Sequence, residues 1–141
     1  MVLPPYYAMP SRREVVAHYA AISDAVRAPI LLYNIPRRTG VNLTPEVLEE
    51  IVEIEWVVAI KESSNDFIQL EATIHTVGDR INVFAGHSAE RGVPGVLMGA
   101  KGFVSSLESQ IMGREAIEMY DLLQRGEIGR ASCRERVSKQ V

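Results

Sequence analysis

Four short apolar runs, Ile30 to Ile35, Trp56 to Ile60, Ile81 to Ala85 and Gly102 to Ser105, begin 21 to 26 residues apart along the chain. Each is too short for a helix and mostly apolar at successive positions, as strands buried on both faces of a parallel sheet are. Longer amphipathic stretches separate them. Parallel neighbours require such crossovers, because the chain must return to the same end of the sheet before the next strand begins. The pattern predicts repeated strand–helix units, an α/β fold.

Helix beginnings are legible between the runs. Ser11 with Glu14 forms a capping box ahead of Val15, Tyr19, Ile22 and Val26, which share one helical face. Thr44 followed by Pro45 predicts a second helix that turns Val47, Leu48, Ile51 and Ile54 inward. Asn65 or Ser64 is expected to cap a third, which buries Phe67, Leu70 and Ile74 and stops at Gly78. Ser88 is expected to open a fourth that ends near Gly99, and an extended remnant at Pro4 to Tyr7 precedes the first complete unit. These elements fit an open doubly wound sheet or part of an eight-stranded barrel, and periodicity does not choose between them. Half of a barrel would leave two bare strand edges and an uncovered inner face.

A net charge of −3 over 141 residues, with 47% apolar and 23% charged residues, is ordinary for a globular chain and argues against a nucleic-acid partner. No apolar run approaches the roughly 18 to 20 residues that span a bilayer, and the start lacks the charged-then-apolar order of a secretory leader. The expected location is the cytoplasm, with no membrane partner. Cys133 is the sole cysteine, and no group of Cys, His and acidic residues has metal-ligand spacing, so no metal site is expected.

The stretch from Glu127 to Val137 shows no apolar periodicity and no turn signal. It is also the in-frame translation of a nucleotide string similar to a widely used sequencing-library adapter. Residues 127 to 141 are therefore expected to be a non-native tail, leaving 1 to 126 as the domain. A basic C-terminal tail is the alternative.

Lys61 follows Val57, Val58, Ala59 and Ile60, which puts an amine at the C-terminal end of a buried strand, where barrel enzymes assemble their sites. An amine beside apolar side chains resists protonation and keeps a neutral, nucleophilic fraction able to attack a ketone carbonyl. A lone lysine at a strand end more commonly just reaches solvent. The segment Tyr33 to Gly40 adds to the case, because it ends the neighbouring strand one unit earlier. Tyr33 would then face Lys61, and a phenol held near an amine can perform the proton transfers of imine formation. Arg38 offers a planar fork suited to a carboxylate. Taken singly, Tyr33 also fits a packed strand aromatic and Arg38 a solvated loop charge.

Together, Tyr33-Asn34-Ile35-Pro36-Arg37-Arg38-Thr39-Gly40 and Ile60-Lys61-Glu62 match the signatures Y-N-x-P-x-R-T-G and I-K-E. The chain thereby resembles the dihydrodipicolinate synthase and N-acetylneuraminate lyase family of class I pyruvate aldolases. Pro5-Tyr6-Tyr7, Ala85-Gly86 and Gly99 to Ser105 extend the resemblance from about Pro4 to Arg125. It implies strands four to eight of a TIM (β/α)8 barrel, truncated at both ends. It also implies that Lys61 forms a Schiff base with pyruvate or another 2-keto acid, that Tyr33 shuttles protons, and that Tyr7 joins the relay from a neighbouring subunit of a homodimer or tetramer. Arg38 and Thr39 would bind the second substrate, and backbone at Gly86 and Val104 would line the pyruvate pocket. No organic cofactor is implied.

Arg38 makes condensation of pyruvate with aspartate semialdehyde, a step of lysine biosynthesis, the leading activity. A sugar-acid or N-acetylneuraminate-type aldolase or dehydratase shares the imine chemistry, and a non-catalytic α/β binding domain is the alternative of another class. His87-Ser88-Ala89-Glu90 replaces the acidic residues common in the synthase, so His87 is either a substrate contact or a local structural residue. The 141-residue chain alone is expected to be inactive, because strands one to three carry the rest of the site.

Overall fold

In the computed structural model, which describes residues 1–86, 91–104, 110 and 113–138, the chain forms two units, Met1–Val83 and Phe84–Val141. The first unit opens with helix α1, Arg12–Val26. The expected capping box is present: Glu14 Oε2 accepts from the Ser11 backbone N–H and from the Ser11 hydroxyl, both at 2.7 Å. Val15, Tyr19 and Ser23 form the buried row. That row advances by four residues per step, which leaves Val26, expected inside, 60% exposed. Arg27 ends the helix in the left-handed region (φ 49°).

Strands β1 (Ile30–Asn34) and β2 (Val57–Glu62) pair in parallel. Their rungs are Ile30 opposite Val57, then Leu31 opposite Ala59, Leu32 opposite Ile60, Tyr33 opposite Lys61 and Asn34 opposite Glu62. The register shift between the first two rungs passes over Val58, which bulges outward and is 41% exposed. The expected extended remnant is displaced. Val2, not Pro4 to Tyr7, bridges Leu32, donating to Leu31 O at 2.8 Å and accepting from Tyr33 N at 2.9 Å. Pro4 and Pro5 carry no N–H to extend such a ladder, and Tyr7 lies at φ 72°, outside strand geometry.

After β1 comes a single helical turn, α2 (Pro36–Thr39), closed by Gly40 at φ 73°, where a side chain would be strained. Helix α3 (Pro45–Ile51) begins at Thr44-Pro45 as expected and buries Leu48 and Ile51 completely. Helix α4 (Phe67–Val77) is capped one residue later than expected: Asp66 Oδ1 accepts from Ile68 N at 2.8 Å and Gln69 N at 3.3 Å. Asn65, an expected cap, instead makes the left-handed turn (φ 73°) that aims the chain into the helix. The shift moves the buried row to Leu70, Thr73 and Val77 and leaves Phe67 42% exposed. Gly78 ends the helix at the expected position.

In the second unit, the end of β3 (Asn82–Gly86) pairs in parallel with β4 (Gly102–Val104), with Phe84 opposite Gly102, Ala85 opposite Phe103 and Gly86 opposite Val104. Between them lies α5 (Val93–Leu97), which closes by Gly99 as expected. The proposed start of that helix at Ser88, His87 beside it and Ser105 lie outside the described residues. Gly92 is required by close approach, since a Cβ there would stand 2.9 Å from the Phe103 ring.

Helix α6 (Glu115–Gln124) sets Met119, Leu122 and Leu123 into a core with Val93 and Ala131. Ala131 belongs to α7 (Ile128–Ser138), so the stretch read as lacking periodicity is helical. Ala131 is fully buried, and Glu127 O accepts from Arg130 N and Ala131 N at 3.1 Å each. An Arg130–Glu127 ion pair adds to the same turn. Among the described residues no helix is long and apolar enough to cross a membrane.

Candidate active site

The ends of β1 and β2 present different chemistry on their two sides. Alternation along each strand sends Tyr33 and Lys61 to one side, both half-buried, and Asn34 and Glu62 to the other, exposed by only 0% and 2%. Because Tyr33 and Lys61 share a rung, their side chains rise together. Lys61 Nζ donates to Tyr33 Oη at 3.3 Å and stands 4.3 Å from the centre of the phenol ring. The ring thus covers the cation with its face while its hydroxyl reaches the amine. An amine and a phenol at this separation can exchange a proton, and the half-buried setting limits competition from water.

On the far side, Asn34 Nδ2 donates to Glu62 Oε2 at 2.7 Å, to Asn42 Oδ1 at 3.0 Å and to Leu43 O at 3.4 Å, while its Oδ1 accepts from Leu43 N at 3.0 Å. Glu62 is held further by Gln69 Nε2 and by Ser64 N. Asn34 and Glu62 stood inside the two sequence motifs without a role. The available signal was their place as polar residues at the inward positions of two otherwise apolar strands, on the same rung.

The remaining expected residues are placed differently. Arg38 is exposed on α2. Its neighbour Thr39 is turned inward: its hydroxyl donates to Val41 O at 3.0 Å and to Ile35 O at 3.2 Å and accepts from Val41 N at 3.2 Å, so it braces the turn. Tyr7 is 97% exposed, and this chain does not bring it to Lys61 and Tyr33. Gly86 and Val104 belong to the second unit, where they share the last rung of β3 and β4. That unit also holds an apolar cavity of about 290 Å³, walled by Phe84, Phe103, Ile117 and Tyr120, which none of the expected site residues lines. Among the described residues no group of three or more His, Cys, Asp or Glu is placed to hold a metal ion.

A model of the dihydrodipicolinate synthetase family matches residues 1–141. The chain belongs to this family. A 4-hydroxy-tetrahydrodipicolinate synthase of Clostridium perfringens is 41% identical over 107 residues, which make up 76% of this chain and 36% of the relative. Among solved structures, a dihydrodipicolinate synthase of Bacillus anthracis superposes with TM-score 0.89 at 32% identity, over 98% of this chain and 47% of that one. The dihydrodipicolinate synthase of Acinetobacter baumannii complexed with pyruvate superposes with TM-score 0.86 at 28% identity, over 95% and 45%. The chain thus spans less than half the length of the family members it matches, and its strand–helix units are part of their TIM barrel rather than an open doubly wound sheet.

Proposed function

We propose that the complete protein is a Schiff-base aldolase of this family, with Lys61 as the nucleophile and Tyr33 as its proton carrier. The observation that carries the reading is the 3.3 Å contact between Lys61 Nζ and Tyr33 Oη. The neutral amine adds to the carbonyl of a 2-keto acid, the carbonyl electron pair moves to oxygen, and the nitrogen gives up one proton as the oxygen gains one, which leaves a neutral carbinolamine with a lone pair on nitrogen. A second proton lets that oxygen leave as water while the nitrogen lone pair forms the C=N⁺ bond. Loss of a proton from the adjacent carbon gives an enamine, which attacks an aldehyde; the reverse sequence cleaves the same bond. Tyr33 Oη is near enough to the nitrogen to pass these protons.

Arg38, exposed on the turn after β1, suits the carboxylate of a second substrate, which favours pyruvate plus aspartate semialdehyde and hence lysine biosynthesis. Thr39 shapes the turn that presents it. The almost complete exposure of Tyr7 supports a homo-oligomer in which this phenol enters a neighbour's relay.

The test is reduction with borohydride in the presence of pyruvate, followed by peptide mapping of the complete protein. A pyruvyl adduct on Lys61 is expected. A well-folded protein that gives no adduct would overturn the proposal.

A further inference from the structure

Four segments converge behind the reactive pair. Asn34 ends β1, Glu62 ends β2, Asn42 and Leu43 lead toward α3, and Gln69 stands in the first turn of α4. Asn34 uses both ends of its amide, and Glu62 accepts on both oxygens. At the rim, Asn42 and Gln69 close the cluster as a reciprocal amide pair at 2.8 and 2.9 Å. Two leucines on this rung would hold the strands together without the cost of desolvating a carboxylate, because well-packed apolar replacements of buried polar pairs are often no less stable. Polar groups add direction: each bond is satisfied at one register and one strand separation only.

We infer that Asn34 and Glu62 are positioning residues for the Lys61–Tyr33 pair. The inference rests on the Schiff-base reading above. Each clamp residue is the chain neighbour of one reactive residue on the same rung, so any slip or splay of the clamp moves Nζ and Oη apart. A misplacement of about 1 Å costs on the order of 10²-fold in rate. The clamp thereby sets the rate of imine formation at each site without touching the substrate.

The experiment is a time course of pyruvate–borohydride trapping on the complete protein, whose end point counts competent sites and whose rate reports each site. In Glu62→Gln an amide must present N–H to a donor at one of its two ends. In Asn34→Asp two carboxylates meet. Both variants are expected to reach the wild-type end point about tenfold more slowly or worse, with the pyruvate KM changed less than about threefold. The exchange Asn34→Asp with Glu62→Gln restores one carboxylate and one amide. The rim amides can flip to suit, and only the long 3.4 Å bond to Leu43 O is lost, so the rate should recover to within about threefold of wild type.

Fewer competent sites at an unchanged rate per site, or no rescue by the exchange, would overturn the inference in favour of a purely structural cluster. Should the buried variants fail to fold, Gln69→Ala at the rim removes one donor to Glu62. A slowing of about twofold to threefold is then expected, and an unchanged rate overturns the inference. Absence of any adduct in the unsubstituted protein overturns the Schiff-base reading itself, and the clamp falls with it.

Discussion

The two sides of the β1–β2 pair share a backbone and differ in almost every other respect. On one side Tyr33 and Lys61 stand half-buried with a single 3.3 Å contact between them; on the other, Asn34 and Glu62 are sealed from solvent and bonded at every polar atom. The reactive side keeps unused valence for a substrate. The sealed side keeps none, and its rigidity is what a loosely held reactive pair needs behind it. Substitutions in front should remove activity with little change in stability, whereas substitutions behind should cost stability as well as rate.

The largest expected effect is on the reactive side. Lys61→Ala in the complete protein should abolish turnover while changing stability by about 1 kcal/mol or less; measurable residual turnover would break the comparison. Tyr33→Phe keeps the ring over Nζ and removes only the hydroxyl, so kcat should fall about 10²- to 10⁴-fold while pyruvate still becomes trapped on Lys61.

On the sealed side, Asn34→Ala takes from Glu62 Oε2 its 2.7 Å donor, leaving it only Gln69 Nε2, and deprives the Leu43 N–H of its acceptor. It should cost about 2–3 kcal/mol in denaturant unfolding, more than either substitution in front. The smallest effect lies away from both sides. The Ser11 hydroxyl and backbone hold the exposed Glu14 carboxyl below its ordinary value of 4.5. Its stabilisation is therefore present above that value and is lost as pH falls through the lower folded value. Glu14→Gln should flatten the acid limb of Tm against pH slightly; a variant that melts with the parent's acid slope would remove the cap's electrostatic part.

Much of this arrangement is legible in the residues. Strands buried on both faces appear as continuous apolar runs, so the bounds of β1 and β2 are legible to within two residues, and parallel order puts Tyr33 opposite Lys61. Capping chemistry fixed the start of α1 and α3 because Ser11, Glu14, Thr44 and Pro45 act on their own backbone. What depended on three-dimensional contact was less visible. Asp66 displaced Asn65 as a cap because a left-handed residue preceded the helix, and Val26 lost its place to Ser23 by a small rotation of α1. The turn at α2 carried a signal, Pro at its start and Gly40 just past its end, that is easily read as loop. The helix at α7 owes its place to Ala131 entering a core built by other segments, which no local period announces.

Val58 gives the site its phase. Counted without the bulge, the ladder would run Leu31 to Val58, Leu32 to Ala59 and Tyr33 to Ile60, leaving Asn34 facing Lys61. One surplus residue, set near the start of β2 and three positions before the amine, advances the whole downstream strand by a single notch. The same notch delivers lysine to tyrosine in front and glutamate to asparagine behind, so a ladder that paired Val58 instead of passing over it would mismatch both couples at once. Register within this strand is consequently as much a part of the chemistry as the identity of the lysine.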